Sequence, residues 1–254
     1  MVDKSRSISE YIKESEEYIA DLKNYHVDEM FSRMYSRSAK QPFKVMSFVN
    51  AMTWRMYDIS SAALMLLKND NIIPSLSLVR ACWENMVATY DLAGLVKDCC
   101  EKQTVDSSVD DVLMRILFSN RFEKDNRYVG EEHFNQFEKY KAKNILTLIQ
   151  KHAKDFPQVK DVYGAICEFV HPNLDGVLRS YSYDDESNET IYFGPQFTQD
   201  SWLFSASIVT LNCSIALYIN FITSIEGNIE EFSRLCEKFI LSSGKEVSNE
   251  ESSF

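Results

Sequence analysis

The sequence predicts an all-α protein, a single bundle of about eight helices with a small β-hairpin near residues 178–193. Only 7 Gly and 5 Pro occur in 254 residues, too few for the turns of a many-stranded sandwich or barrel. Apolar residues recur at helical spacing along most of the chain. A hydrophobic content of 45% is enough for a well-buried core. We therefore expect one helical domain over residues 1–242 and a disordered, Ser- and Glu-rich tail over 243–254.

Four helices are expected in the first part of the chain. Ser7 and Glu10 have the spacing of a capping box, which predicts that a helix begins there. A second, short helix is expected over residues 27–38. Pro42 and Pro74 each suit the first turn of a long helix, where a missing N–H breaks no intrahelical hydrogen bond. The short connection between these two long helices predicts an antiparallel pair.

Three more helices are expected in the middle of the chain. Amphipathic patterns predict helices over residues 106–124 and 144–156. Pro157 begins a third helix with a buried stripe of its own. That helix must end by His171, because the residue before Pro172 is pushed out of the helical region of backbone space.

The pattern changes after residue 176. Residues 177–183 and 190–193 are rich in aromatic and β-branched side chains, and they flank a turn-forming segment at 184–188, which predicts a β-hairpin. An uncharged helix over 201–225 and a short helix over 229–241 are expected to follow. The uncharged segment is long enough to cross a bilayer, but its flanks are acidic, so we expect a buried core helix and no membrane span.

Charge and cysteine content narrow the classes of function. The net charge of -11 repels phosphate backbones, so nucleic-acid binding is not expected. One basic cluster occurs, and we expect it to be a solvated helix end; it comprises Arg33, Arg37, Lys40 and Lys44. The six cysteines contain no Cys-x-x-Cys pair, which favours reduced thiols. The first ten residues carry charges and no apolar signal core, so we expect a cytoplasmic protein.

Two short segments carry the candidate site residues. Arg80 and Glu84 lie four residues apart and share one helix face, where they form either a structural ion pair or part of a binding site. His171 lies in the last turn of its helix, where it serves either as a proton donor and acceptor or as a helix cap. The four histidines are too dispersed to indicate a metal site, and no cofactor motif is present, so neither metal nor cofactor is expected.

The segment from Pro74 to Gly176 resembles a family of uncharacterised bacterial all-helical domains of unknown function. The resemblance rests on the Arg80 and Glu84 pair and on the later helix that contains Tyr163 and ends in His171-Pro172. Some of these proteins are distantly similar to HEPN domains, which are helical ribonucleases and interaction modules of bacterial conflict systems. The chain departs from the HEPN motif, because its one formal match, over residues 127–133, has a Tyr at the polar position and contains Gly130.

These observations favour an intracellular bacterial interaction or regulatory module, which the resemblance connects with a defence or toxin-type system. A protein partner or a homodimer is expected. The alternative is a HEPN-like ribonuclease or nucleotide-binding protein that uses Arg80, Glu84 and His171 as its catalytic residues. A third possibility is a small-ligand pocket beside Arg80 and Glu84 with Trp54 and Trp83 as its walls.

Overall fold

The computed structural model describes residues 6–118 and 144–243, and it confirms an all-α fold with one β-hairpin. The eight helices in these residues are α1 (Ile8–Leu22), α2 (Gln41–Lys68), α3 (Ile72–Lys102), α4 (Ser107–Phe118), α5 (Ile145–His152), α6 (Gln158–Val170), α7 (Arg179–Tyr181) and α8 (Trp202–Ser242). The hairpin strands are β1 (Ser182–Asp185) and β2 (Thr190–Phe193). Apart from Ser243, the predicted tail lies outside the described residues.

The chain falls into two compact units. The first unit comprises Met1–His26, Met52–Tyr90 and Ile145–Asn220. The second unit comprises Val27–Ala51, Asp91–Asn144 and Phe221–Phe254. Helices α2, α3 and α8 each contribute residues to both units. One domain over residues 1–242 stays a prediction.

In the first unit, α1 begins with the predicted capping box. The Ser7 hydroxyl accepts a hydrogen bond from the Glu10 N–H at 3.3 Å, and the Glu10 carboxylate accepts one from the Ser7 N–H at 2.6 Å. A buried polar network then joins α1 to α8. The Ser15 hydroxyl donates to Asn212 Oδ1 at 2.5 Å, and the Asn212 amide donates to the Tyr11 carbonyl at 3.1 Å. Because these groups are buried, each needs such a partner.

The apolar core of the first unit is formed by one face of each long helix. Its largest fully buried side chains include Tyr218, Phe204, Leu22, Met56, Leu67 and Leu76. Burial raises the pKa of Tyr218, which therefore stays neutral, and a hydrogen bond of 2.8 Å joins its hydroxyl to that of Thr53. The polar phenol group of Tyr218 can therefore be buried in this core, because the Thr53 hydroxyl on α2 forms a hydrogen bond with it.

In the second unit, the predicted helix over residues 27–38 is wrong, because this segment consists of turns and bends. The Ser36 hydroxyl accepts hydrogen bonds from the N–H groups of Ser38 and Ala39, and it donates to the Glu237 carboxylate at 2.6 Å. Such side-chain hydrogen bonds compete with those of a helix. The basic cluster therefore belongs largely to an irregular segment, and Lys44 on α2 pairs with Asp110 at 2.6 Å.

Helix α8 is continuous, whereas the sequence predicted two helices separated near Gly227. A single glycine costs a helix only about 1 kcal/mol relative to alanine. The buried residues Ile229, Phe232 and Leu235 continue the stripe beyond Gly227, and their burial outweighs that cost. By length and composition, α8 is the one described helix that is apolar enough to cross a membrane, and 44% of its most apolar window is buried. The absence of a membrane span stays a prediction.

The hairpin lies within its predicted range but is shorter than predicted. Strands β1 and β2 pair antiparallel, with Tyr183 opposite Tyr192 and Ser182 opposite Phe193. The preceding residues form a π-helical turn over Leu174–Leu178 and then α7, where a strand was expected. Asn173 caps this turn by accepting a hydrogen bond from the Gly176 N–H at 2.9 Å, which favours helical backbone immediately after it.

Replacing Asn212 with alanine should lower the free energy of unfolding by about 1–3 kcal/mol, because the buried partners on α1 lose their hydrogen bonds. Chemical denaturation monitored by circular dichroism measures this loss. Asn220→Ala is the matched control, since Asn220 lies on the same helix but is exposed. Equal stabilities for the two variants would contradict a structural role for the Asn212 network.

Candidate functional site

Helices α3 and α6 bring together Arg80, Glu84 and Tyr163. The Arg80 guanidinium donates from Nε to Glu84 Oε1 at 3.0 Å, and the Tyr163 hydroxyl donates to the same oxygen at 2.9 Å. The Arg80 Cζ atom also lies 5.1 Å from the centre of the Tyr163 ring. Beside Glu84 on α3, the buried Trp83 donates its indole N–H to the Val159 carbonyl at 3.2 Å. The two helices are therefore joined by two polar contacts, which involve adjacent residues of α3 and successive turns of α6.

The electrostatics of this cluster hold its charges and protons in place. Burial is the largest single influence on Arg80 and opposes its positive charge, but the hydrogen bond to Glu84 and the electrostatic interactions with neighbouring groups together outweigh it, so the pKa of Arg80 is raised. Burial and the hydrogen bond to Glu84 raise the pKa of Tyr163. Near neutral pH, Arg80 stays charged and Tyr163 stays protonated. Neither Arg80 nor Tyr163 therefore exchanges a proton readily near neutral pH. This property suits a structural contact, whereas an acid or base catalyst must exchange protons.

His171 lies at the end of α6, as predicted, and its side chain is exposed. Its backbone N–H donates to the Cys167 carbonyl at 3.0 Å, and its carbonyl accepts from the Asn173 N–H at 2.8 Å. In the described part of the chain, no contact joins the His171 imidazole to Arg80 or Glu84. The structure thus places Arg80 and Glu84 in one cluster. His171, the third predicted catalytic residue, lies in the turn that follows α6.

Tyr163 is the member of the cluster whose role the sequence left open. It is 79 residues away from Glu84, so only tertiary packing brings the two together. The tryptophans expected to wall a ligand pocket have different surroundings. Trp83 is buried against α6, whereas Trp54 stacks on His26 with ring centres 3.8 Å apart. The structure therefore gives these tryptophans separate packing roles.

A second candidate site is the segment that runs from the turn after α6 through the hairpin to the first turn of α8, which we call the hairpin surface. Six large apolar side chains between α6 and the first turn of α8 are each more than half exposed, and they are Leu174, Leu178, Tyr183, Ile191, Phe193 and Trp202. Exposure reaches 79% for Phe193 and 64% for Trp202. Clusters of exposed apolar side chains are uncommon on monomers and mark interaction surfaces.

The hairpin has exposed side chains on both faces. Side chains alternate along a strand, so Tyr183 and Tyr192 lie on one face while Ile191 and Phe193 lie on the other. The tyrosine rings stack with centres 5.1 Å apart. Among the described residues, no third strand pairs with β1 or β2. A two-stranded sheet of this kind is marginally stable by itself, and its free edges can pair with another chain.

The hairpin surface carries a negative field. Residues 171–202 contain six carboxylates and one cation, Arg179, which pairs with Asp175 at 2.7 Å. Four of the carboxylates lie at the hairpin tip, and these are Asp184, Asp185, Glu186 and Glu189. Hydrogen bonds from Ser187 and Asn188 lower the pKa of Asp185, so this carboxylate stays ionised and fixes the turn. A partner of this surface should therefore carry positive charge.

Comparisons with known proteins add no assignment. No protein-family model matches the chain, and the searches of curated proteins and of solved structures find no match. The resemblance to uncharacterised helical domains and to HEPN proteins stays a prediction. The formal HEPN-like match over residues 127–133 lies outside the described residues. The geometry of the described residues therefore carries the functional argument.

Replacing Tyr163 with phenylalanine should lower the free energy of unfolding by about 1 kcal/mol, because Glu84 loses a hydrogen bond in a partly exposed site. The difference in unfolding free energy between the wild type and Tyr163→Phe should shrink above about pH 10. There the unfolded chain loses the phenolic proton while folded Tyr163, whose pKa is raised, retains it, and this destabilises the wild type alone.

Denaturation of both proteins at pH 7 and above pH 10 measures the effect of Tyr163→Phe. Tyr192→Phe is the control, since Tyr192 is 43% exposed and its hydroxyl has no hydrogen-bond partner among the described residues. A pH-independent difference, or equal losses in the two variants, would contradict the contact with Glu84.

Gly176 should tolerate no larger residue, because the turn after α6 folds tightly over it. A Cβ atom at this position would lie 2.1 Å from the His171 carbonyl oxygen and 2.9 Å from that of Phe169. Gly176→Ala should destabilise the protein by about 1–3 kcal/mol, the usual cost of overpacking. Gly164→Ala on α6 is the control, since a Cβ there meets nothing within 4 Å and improves helix propensity. Thermal unfolding distinguishes the two, and equal melting temperatures would contradict the close packing.

Proposed function

We propose that this chain is an intracellular protein-interaction module and that it binds its partner through the hairpin surface. The observation that carries the proposal is the exposure of Phe193 and Trp202, which are 79% and 64% accessible. Fully burying a large apolar side chain stabilises a complex by about 1.5–3 kcal/mol. Aromatic residues also dominate the binding energy of protein interfaces.

The backbone of the hairpin supports the same role. Each strand of the two-stranded sheet has one edge without a partner among the described residues, and an extended peptide binds such an edge through main-chain hydrogen bonds. Side chains on both faces would then contact the partner. The acidic tip favours a partner with Lys or Arg beside its apolar residues, because unlike charges speed association and fix its orientation.

One observation and one prediction support the cellular part of the proposal. All six cysteines are free, and four of them are buried, which suits a reducing compartment. The predicted resemblance is to uncharacterised helical domains, some of them distantly similar to HEPN proteins of bacterial conflict systems, and the proposed regulatory part in a defence or toxin-type system rests on that resemblance alone. The ribonuclease alternative has weaker support, because no described contact brings His171 to Arg80 and Glu84.

Selection of binding peptides from a random displayed library tests the proposal. Peptides that bind the full-length chain should combine apolar residues with Lys or Arg. Their affinity should fall more than about tenfold for Phe193→Ala and for Trp202→Ala, which remove apolar anchors. Leu241→Ala is the matched control, since Leu241 is 80% exposed but lies at the end of α8.

The proposal is wrong if selected peptides bind the Phe193→Ala, Trp202→Ala and Leu241→Ala variants equally. If the selected peptides are not enriched in Lys or Arg, the proposed attraction of positive charge by the acidic hairpin tip is contradicted. Circular dichroism of each variant establishes that the hairpin substitutions leave the helical content intact.

A further inference from the structure

A second exposed apolar segment, in the second unit, has the opposite charge to the hairpin surface. We call it the basic segment and define it by Phe31, Arg33, Met34 and Arg37. Phe31 is 66% exposed and Met34 is 50% exposed, and both arginines are exposed. From Phe31 to Lys44 the sequence contains four cations and no carboxylate. The segment thus combines apolar and cationic side chains, which is the chemistry that the hairpin surface requires.

Both arginines of the basic segment are exposed, and the segment is held through other groups. The Glu237 carboxylate accepts hydrogen bonds from the Ser36 hydroxyl at 2.6 Å and from the Arg37 backbone N–H at 3.3 Å, which fixes the segment through its backbone and serine. Among the described residues, the side chains of Arg33 and Arg37 form no ion pair. Two exposed guanidinium groups beside exposed apolar side chains favour a partner that is both acidic and aromatic.

We infer that the hairpin surface of one copy of this chain binds the basic segment of a second copy. The inference rests on the proposed function and names the partner of the same surface. Asp184 and Glu186 supply the negative charges, because both are exposed and neither takes part in a hydrogen bond of the turn. Phe193 and Trp202 supply aromatic anchors, and Phe31 and Met34 supply apolar surface on the other copy.

The size of the contact predicts its strength. Six side chains of about 200 Å² each, exposed by roughly 60% on average, present roughly 700 Å² of apolar surface on one copy. Because they lie on both faces of the hairpin, one contact covers only about half of this area. Specific stable interfaces bury at least about 600 Å² on each partner, so one such contact should be weak and reversible. Its charged part should weaken as salt is added. The expected behaviour is self-association that rises with protein concentration and falls with ionic strength.

Charge reversal on each surface provides the test. The variant Arg33→Glu/Arg37→Glu makes the basic segment acidic, and the variant Asp184→Lys/Glu186→Lys makes the hairpin tip basic. The mass of the full-length, nucleic-acid-free protein is measured by sedimentation over a concentration series at low and high salt. The wild type should associate at low salt, and each variant alone should associate more than about tenfold more weakly, because like charges now meet.

An equimolar mixture of the two variants should restore association, since each acidic surface again meets a basic one. A misfolded variant would not do so, which separates loss of contact from loss of structure. The control is Arg115→Glu/Lys160→Glu, which makes the same change in net charge at two other exposed positions. It should associate as the wild type does.

Several outcomes would overturn the inference. A wild type that stays monomeric at low salt would do so, as would association that persists in both charge-reversed variants. Association that appears only when RNA is added would show that the basic segment binds nucleic acid and not the hairpin surface. If the chain stays monomeric but selected peptides still require Phe193 and Trp202, the proposed function stands with a different partner. If the peptides do not require them either, both proposals fail.

Discussion

Burial of one face of α8 is the constraint on which the rest of the structure depends. This helix supplies Phe204 and Tyr218 to the core of the first unit and Phe232 to the core of the second. Each buried side chain of this size contributes about 1.5–3 kcal/mol, so several of them together far exceed the cost of about 1 kcal/mol for one helical glycine. Polar groups that are buried with it need partners, and the α1 network around Asn212 and the α2 hydroxyl of Thr53 supply them.

The same requirement explains the cluster of Arg80, Glu84 and Tyr163. A carboxylate and a guanidinium between packed helices lose hydration, and they are stable there only when hydrogen-bonded to each other and to neighbours. Tyr163 completes the arrangement by donating to the oxygen that also pairs with Arg80. An ion pair at helical spacing is therefore weak evidence for a catalytic site, because packing alone demands the same residues.

The hairpin surface combines several exposed large apolar side chains with a local backbone that is tightly fixed. Asn173 caps the turn after α6, Gly176 permits its close approach to His171, and Asp185 holds the hairpin turn. A rigid support for an exposed apolar surface lowers the entropy lost on binding. The local sequence is thus consistent with presentation of the hairpin to another molecule.

The sequence by itself determined the all-α class, the capping box at Ser7, the end of α6 at His171 and the presence of a hairpin. These features depend on periodicity, caps and proline, which act within a few residues. Tertiary structure alone decided that α8 continues past Gly227 and that residues 27–38 form no helix, because burial and the bond from Ser36 to Glu237 involve distant parts of the chain. It also decided that Arg80 and Glu84 meet Tyr163, and that the hairpin is exposed. The exposure of the hairpin cannot be read from its local pattern, since an aromatic strand has the same sequence signature whether it is covered or exposed.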